Sequence, residues 1–261
     1  MDCPACRFTE TFEIKRVDEF MIRKCVACWL EFCSPMPSPN QLERCYSSFE
    51  DHVSNEKTML LNAQRNLVHL VKQHGLSTAD RVLDFGCGKN VFIRHAMEQG
   101  FTGAFGFDKY CGKPGDSAGV NDISGPWEWI TAWGVLEHLT DPYGTLVSLR
   151  ARLALGGRLA LTTVHIEGPI PFRYRPPLHT CYWTQAAIAV LAARAGFTIM
   201  EYRPYEMMID SDNYLDILTR TVPSSLRSKI THALADYVEV PTNEVFVVMR
   251  KTDNAEDDHL V

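Results

Sequence analysis

The sequence lacks several features that would place the protein in other classes. It has no apolar run of the roughly 18 residues that a membrane-spanning helix needs. The start of the chain holds no apolar core between a basic stretch and a cleavage site, so we expect no signal peptide. Basic residues are few: 26 Lys and Arg stand against 32 Asp and Glu, for a net charge of −6. This balance disfavours nonspecific nucleic-acid binding. Together these absences predict a cytoplasmic protein without a membrane span.

The most informative segment that is present is 81–88, where an apolar strand leads into an acidic, glycine-rich turn. The turn holds Asp84, Gly86 and Gly88, and a second apolar strand at 103–107 stops on Asp108. Two such strands are typical of α/β folds that bind a nucleotide-type cofactor across the carboxyl ends of a parallel sheet. The glycines let the cofactor approach the backbone, and an acid at the second strand end accepts hydrogen bonds from ribose hydroxyls.

This acid-x-Gly-x-Gly turn resembles the first motif of class I S-adenosylmethionine-dependent methyltransferases. Asp108 follows Asp84 at the distance where that family keeps its ribose-binding acid. Asn90 replaces the usual third glycine, and asparagine tolerates left-handed backbone better than most residues. The segment 137–142, which contains Glu-His-Leu and Asp-Pro, resembles the family's segment after the fourth strand. The resemblance spans about residues 55–251.

The resemblance and the alternation of strands with helices predict an α/β fold. We expect a Rossmann-like, seven-stranded methyltransferase sheet with helices on both faces, over residues 55–252. The family places its last strand antiparallel between two others, and this order is carried over by resemblance. We expect strand six at 197–202, a helical insertion at 206–240, strand seven at 244–250 and a disordered acidic tail at 253–261.

Four cysteines near the start of the chain form two Cys-x-x-Cys pairs. Cys3 and Cys6 make the first pair, Cys25 and Cys28 make the second, and the spacing of the two pairs is typical of a four-thiolate zinc site. The alternative is a pair of disulfides, but thiols stay reduced in the cytosol. The sequence therefore predicts a zinc ribbon over 1–34, held by structural Zn²⁺, and a proline-rich linker over 35–54.

The resemblance implies a set of cofactor-binding residues. These are Asp84, Gly86, Gly88, Asp108, Asp122, Ile123 and Trp133. Asp84 would support the turn and reach the methionine amino group, Asp108 would bind the ribose diol, and Asp122 would bind the adenine amine. Trp133 would border the methionine end. Asp122 could instead be an ordinary turn residue, and Trp133 could belong to the core.

Histidines are the candidate catalytic bases, because imidazole accepts a proton near neutral pH. His179 lies in a proline-stiffened aromatic loop, and His138 follows the predicted fourth strand. Each could instead serve only as a cap or a backbone hydrogen-bond partner. Ubiquinone-pathway O-methyltransferases use a Glu-x-x-Glu-His cluster for a divalent ion, and its first position here is Gly134, so we predict no catalytic metal.

The sequence predicts a methyltransferase for a small-molecule or glycan acceptor, with transfer to oxygen favoured over carbon. The ribbon with this core resembles a bacterial subgroup that modifies sugars, polysaccharides or secondary metabolites, and the aromatic and arginine residues at 172–175 and 182–183 suit a sugar face. One alternative is a zinc-ribbon adaptor with a degenerate domain, motivated by Asn90 and the incomplete cluster. A second is a nucleic-acid methyltransferase. An oxidoreductase ranks lower, because the full Gly-x-Gly-x-x-Gly spacing is missing.

Overall fold

The computed structural model describes residues 2–47, 55–110, 123–169, 174–210 and 236–252. Within these ranges the chain forms two sheets and five α-helices. The strands are β1 Thr11–Val17, β2 Phe20–Cys25, β3 Glu31–Ser34, β4 Val82–Phe85, β5 Ala104–Phe107, β6 Trp127–Trp133, β7 Leu153–Val164, β8 Cys181–Tyr182, β9 Phe197–Asp210 and β10 Tyr237–Lys251. The helices are α1 Pro39–Ser47, α2 Glu56–His74, α3 Val91–Glu98, α4 Pro142–Arg152 and α5 Gln185–Arg194. None of these helices is long and apolar enough to cross a membrane.

The larger sheet has the strand order β5-β4-β6-β7-β10-β9. Its first four strands are parallel, and β10 lies antiparallel between β7 and β9. The mixed α/β fold with a central sheet is therefore confirmed. The predicted count of seven strands is not confirmed, because the described residues form six strands in this sheet. The expected third strand would end beside Asp122, and residues 111–122 lie outside the described ranges.

Helices cover both faces of this sheet, because its central strands are apolar on both sides. On one face, Leu67 and Leu70 of α2 pack in a buried cluster with Phe246 of β10. On the other face, Leu149 of α4 and Ile188 of α5 belong to a second buried cluster. Near-continuous apolar runs are typical of strands buried on both faces. The rigid sheet that results fixes the positions of the loops at its edge.

The smaller sheet has the order β1-β2-β3-β8, so its fourth strand comes from far along the chain. The sequence predicts a separate ribbon over 1–34 followed by a linker over 35–54. Instead, β3 pairs with β8, and α1 forms within the expected linker. Apolar side chains such as Leu30 and Phe32 are completely buried in the same cluster as Ile188. The local pattern of segment 1–34 could not show this long-range pairing.

The segment 206–240, predicted as a helical insertion, begins and ends in strands where the structure describes it. There β9 continues to Asp210 and β10 begins at Tyr237, with Tyr237 paired to Asp210 and Val240 to Met207. The cross-strand ladder satisfies the backbone hydrogen bonds of these two ends. The rest of the insertion, 211–235, and the predicted acidic tail, 253–261, lie outside the described residues.

Candidate cofactor and acceptor site

The turn after β4 has the backbone geometry that its glycines predict. Gly86 has a φ of 78° and Gly88 a φ of 48°, both in the left-handed region. Asn90 also adopts this region, with a φ of 57°, and precedes α3 as its N-cap residue. A Cβ at Gly88 would meet no atom within 4 Å, whereas one at Gly86 would lie 2.6 Å from Cγ2 of Val135. The turn therefore presents open backbone on the side of Gly88, where a cofactor can approach.

Two carboxylates lie at adjacent strand ends. Asp84 of β4 pairs with Gly106 of β5, one pair before the strands end. Asp108, just beyond β5, accepts hydrogen bonds from the backbone N–H of Gly88 at 3.0 Å and of Tyr110 at 2.7 Å. Asp84 accepts one from Oγ1 of Thr131 at 2.6 Å. Asp108 thus lies beside the glycine turn and Asp84 beneath it, which is the arrangement expected from the sequence.

Burial changes the protonation of Asp84. The side chain is only 2% exposed, and this loss of hydration raises its pKa to about 7. The Thr131 hydroxyl opposes the shift, and the nearby charge of Asp108 adds to it. A cationic ammonium group placed beside Asp84 would favour the charged carboxylate and lower this pKa again.

Two cavities meet at the turn, and they share Gly86 and Gly134. The first cavity, of about 350 Å³, lies between α2 and the strand ends and is lined by Asp84, Trp133 and Glu244, among others. The second cavity, of about 330 Å³, is lined by Asp108 and His138, among others. An elongated ligand that crosses Gly86 and Gly134 would occupy both.

The structure places most, but not all, of the predicted cofactor residues at these cavities. Asp84, Gly86, Gly88 and Trp133 line the first cavity, and Gly86 and Asp108 line the second. Ile123 belongs to neither lining; it packs against the core, and its carbonyl accepts a hydrogen bond from Nε1 of Trp127. Asp122 lies outside the described residues.

Trp133 lies both in the aromatic core and at the wall of the first cavity. Its ring packs against Phe92 and Phe246, with centroids 5.3 and 5.9 Å away. It also lines the first cavity. Its buried indole Nε1 has no hydrogen-bond partner among the described residues. The residue therefore connects the aromatic core to the wall of the site.

The two candidate histidines lie together, with ring centroids 4.9 Å apart. Nδ1 of His138 donates a 2.9 Å hydrogen bond to the carbonyl of Leu178, which leaves Nε2 of the neutral ring as an acceptor. Burial lowers the pKa of His138 to about 4 and that of His179 to about 3. Both rings are therefore neutral near pH 7, and both hold an added proton weakly.

Glu137 brings a third potential ligand atom to these histidines. Ligand atoms of Glu137, His138 and His179 lie within 4.8 Å of one another. Glu137 and His138 match the last two positions of the Glu-x-x-Glu-His cluster, and His179 lies beside them. The first position of that cluster is Gly134 in this chain, so its first carboxylate is missing. Oε2 of Glu137 accepts a 2.8 Å hydrogen bond from Oγ1 of Thr163. A second such group, formed by His69, His74 and Glu201, lies away from both cavities.

Sequence reasoning missed the polar wall of the first cavity. Tyr205 donates its hydroxyl hydrogen toward Oδ1 of Asn62 and Asn66, each 3.2 Å away. Glu244, the cross-strand partner of Tyr205, lines the same cavity, and burial together with the charge of Glu137 raises its pKa to about 7. The only sequence signal for Glu244 is an acid immediately before the apolar run of the last strand. The antiparallel insertion of that strand brings the acid to the site.

The four N-terminal cysteines converge as their spacing predicts. Their sulfur atoms lie within 4.8 Å of one another, and the Cys3–Cys28 and Cys6–Cys25 sulfur distances are both 3.5 Å. Tetrahedral zinc with Zn–S bonds of about 2.3 Å separates its sulfurs by about 3.8 Å. The backbone N–H of Ala27 also turns toward Sγ of Cys25 at 3.4 Å. The cluster therefore fits a tetrahedral zinc ion.

Comparison with known proteins agrees with this fold. The family model for a methyltransferase domain matches residues 58–202, and the chain belongs to that family. Its fold is that of class I S-adenosylmethionine-dependent methyltransferases. No curated protein matches the chain.

Two solved structures share the overall architecture. Burkholderia thailandensis 1,6-didemethyltoxoflavin-N1-methyltransferase, solved with bound 1,6-didemethyltoxoflavin and S-adenosylhomocysteine, is 19% identical, with a TM-score of 0.55. That match covers 94% of this chain and 100% of the other. A chain of the complex between the Haloferax volcanii Trm112 methyltransferase activator and a methyltransferase is 14% identical, with a TM-score of 0.56. That match covers 81% of this chain and 98% of the other. At these identities, the likeness establishes the fold alone.

Proposed function

We propose that this protein transfers a methyl group from S-adenosylmethionine to an oxygen atom of a small-molecule acceptor. The observation that carries the proposal is the pair of adjacent strand ends, tipped by Asp84 and Asp108, beneath an open glycine turn with a cavity on each side. When bound, the cofactor supplies a methyl group already activated by the sulfonium charge. The protein must then hold the acceptor in line and exclude water.

The cofactor is proposed to lie across both cavities. The carboxylate of Asp108 would accept hydrogen bonds from the ribose hydroxyls, and the aromatic rings of Tyr46 and Tyr110, stacked 4.3 Å apart, would border the adenosine in the second cavity. Asp84 would face the methionine ammonium at the first cavity. That contact would stabilise the ionised form of a carboxyl whose burial otherwise favours the neutral form.

The acceptor is proposed to enter the remaining part of the first cavity. The whole first cavity measures about 350 Å³ and would also hold the methionine end of the cofactor, so the remaining part admits a small molecule or a single sugar unit rather than an extended polymer. Stacking of a sugar on Tyr182 and Trp183, which the sequence suggested, is not supported, because both side chains are completely buried. Phe172 and Arg173 lie outside the described residues.

His138, at the second cavity, and the adjoining His179 are proposed to act as neutral hydrogen-bonding groups rather than to take a proton. Burial holds the pKa of both imidazoles well below neutrality, so each is a weak base at pH 7. A neutral ring can still accept a hydrogen bond, and Nε2 of His138 remains available for one.

The cysteine cluster is proposed to hold one structural zinc ion. The supporting observations are the convergence of four sulfurs and the burial of Cys3, Cys25 and Cys28.

The alternative of a zinc-ribbon adaptor with a degenerate domain has less support than the sequence suggested, because Asn90 adopts the left-handed backbone that a glycine would supply. The turn is therefore competent for cofactor binding without the third glycine.

Calorimetry with S-adenosylhomocysteine on zinc-replete protein tests the proposal. We expect a single cofactor site that Asp108→Asn weakens by roughly tenfold or more, since a hydrogen bond to a charged group contributes about 1.5–3 kcal/mol. Asp80→Asn is a matched control, because Asp80 caps a turn that belongs to neither cavity lining. Binding of NADH in place of S-adenosylhomocysteine would contradict the proposal and favour an oxidoreductase.

A further inference from the structure

Glu244 of β10 is one of the two acidic residues, with Asp84, that line the first cavity. It pairs with Val164 of β7 and with Tyr205 of β9. The register of β10 against β9 shifts just before it, between Pro241 and Glu244. A shift of this kind re-aims side chains at the edge of a sheet. Here Glu244 lines the same cavity as Asp84 and Trp133.

The carboxylate of Glu244 has no hydrogen-bond or ion-pair partner among the described residues. The charged or titratable groups around it are Glu137, Asp84 and Tyr205, and the guanidinium of Arg65 lies beyond Tyr205, 4.9 Å from its ring centroid. No Lys, Arg or His belongs to the described lining of this cavity. The half-buried side chain faces the cavity, so its carboxylate is available to a bound ligand that donates a hydrogen bond.

We propose that Glu244 binds the nucleophilic O–H group of the acceptor and takes up the proton that this group loses. The acceptor then reacts through a neutral hydroxyl and carries no anionic group beside the reacting atom. This inference rests on the proposed function, since it assigns a role within the same site.

The step is balanced in atoms and charge. The acceptor's oxygen forms a bond to the methyl carbon while the carbon–sulfur bond breaks and leaves its electron pair on sulfur. The proton of the acceptor moves to a carboxylate oxygen of Glu244. One positive charge and one negative charge disappear together, and the products are a thioether, a neutral methylated acceptor and a protonated carboxyl group.

The surroundings of Glu244 suit a general base better than those of the histidines. A base works best with a pKa near the working pH. Burial and the charge of Glu137 raise the pKa of Glu244 to about 7, whereas burial lowers the pKa of His138 to about 4. Glu244 is therefore the better match for proton uptake at neutral pH.

The rest of the wall favours an uncharged or cationic acceptor. Asn62 and Asn66 contribute neutral amides, and Tyr205 contributes a hydroxyl. The charged side chains of the described lining are the two carboxyl groups, Asp84 and Glu244. A phosphate or carboxylate next to the nucleophile would meet both, and like charges within a low-dielectric cavity repel strongly.

Sinefungin tests the assignment without knowledge of the acceptor. This cofactor analogue carries a charged amine where S-adenosylmethionine carries its methyl group, whereas S-adenosylhomocysteine has nothing there. Calorimetry gives the ratio of the two affinities for the wild type, Glu244→Gln and Glu239→Gln. Glu239 is a suitable control because it lies on the same strand, is exposed, and pairs with Arg65 rather than lining the cavity.

We expect Glu244→Gln to reduce the preference for sinefungin by roughly tenfold, in line with a charge-assisted hydrogen bond, and to leave S-adenosylhomocysteine binding unchanged. Glu239→Gln should leave both affinities unchanged. An unaltered sinefungin preference in Glu244→Gln overturns the assignment. Loss of S-adenosylhomocysteine binding in that variant also overturns it, because Glu244 would then hold the cofactor or the fold. Failure of the wild type to bind S-adenosylhomocysteine instead refutes the proposed function.

Discussion

The backbone N–H of Cys33 donates a 2.9 Å hydrogen bond to the carbonyl of Thr180. The thiol of Cys33 also points toward the carbonyl of His179 at 3.4 Å, and the N–H of Thr180 donates to the carbonyl of Glu137 at 2.7 Å. The strand that follows the second cysteine pair is thus joined, through one peptide segment, to the loop that borders the second cavity. The cysteine cluster and the candidate site therefore share a single hydrogen-bonded frame.

Loss of the metal should weaken this frame. Replacing Cys28 by Ser removes one thiolate and should reduce bound zinc from one ion per chain to a small fraction. The carbonyl of Cys28 accepts a 2.8 Å hydrogen bond from Oγ1 of Thr184, the N-cap of α5, so the loss should also lower the melting temperature of the whole domain. Elemental analysis gives the zinc content, and calorimetric unfolding gives the melting temperature.

Cys45→Ser is the matched control, because Cys45 lies on α1 outside the four-sulfur cluster. It should retain full zinc content. If Cys28→Ser bound as much zinc as the wild type, the four-cysteine site would be wrong.

The close approach of Gly86 to Val135 makes a second prediction. Ala at position 86 would place a Cβ 2.6 Å from Cγ2 of Val135, in a backbone conformation with a φ of 78°. Steric overlap and left-handed strain together should lower the free energy of unfolding by about 2–4 kcal/mol, as measured by denaturant titration.

Gly156 separates these two effects, because it has a φ of 69° and a Cβ there would meet no atom within 4 Å. Gly156→Ala should therefore lose only the strain contribution, about 1 kcal/mol. Adding Val135→Ala to Gly86→Ala should recover part of the loss. Equal losses for the two glycine variants would show that the contact with Val135 is unimportant.

The cofactor half of the site could be predicted because its determinants are local. The turn of Gly86, Gly88 and Asn90 follows one strand directly, and Asp108 follows the next, so the sequence order already places them at one edge of a parallel sheet. The cysteine spacing is local in the same way.

The polar wall of the first cavity, where the acceptor is proposed to bind, could not be predicted, because it is assembled from distant parts of the chain. Glu244 reaches the cavity only because β10 inserts antiparallel between β7 and β9. The pairing of β3 with β8 likewise joins residues that are far apart along the chain, as Phe32 and Cys181 show. The length of β9 is a further case, because its end at Asp210 pairs with Tyr237, 27 residues further along the chain, and strand six was expected only over 197–202.

The protonation of the two site histidines gives a third prediction. Because burial lowers the pKa of His138 to about 4 and that of His179 to about 3, neither ring should titrate between about pH 6 and pH 8. Nitrogen-15 spectra of the imidazoles, with His138→Gln and His179→Gln used for assignment, should show constant shifts. For His138 the spectra should show the tautomer with its proton on Nδ1, because that atom donates to Leu178. A midpoint near pH 6.5 for either ring would contradict this and restore that ring as a base.

Glu244 gives a fourth prediction, on stability rather than binding. Its folded-state pKa is raised from 4.5 to about 7, so the native protein holds a proton there that the unfolded chain releases between these values. Stability therefore falls as the pH rises from about 4.5 to 7, and Glu244→Gln should remove that part of the fall. The variant should match the wild type near pH 4.5 and exceed it by up to about 3.5 kcal/mol at pH 8, since the two pKa values differ by roughly 2.5 and each pKa unit corresponds to about 1.4 kcal/mol.

Denaturant titrations of both proteins across this pH range measure the difference. The neighbours Glu137, Asp84, Tyr205 and Arg65 are present in both proteins, so their own titration largely cancels. Glu239→Gln, an exposed change on the same strand, should give a pH profile that follows the wild type. If the wild type had a larger free energy of unfolding than Glu244→Gln at pH 8, the carboxylate would have a stabilising partner within the fold. Glu244 would then not be available to bind the acceptor.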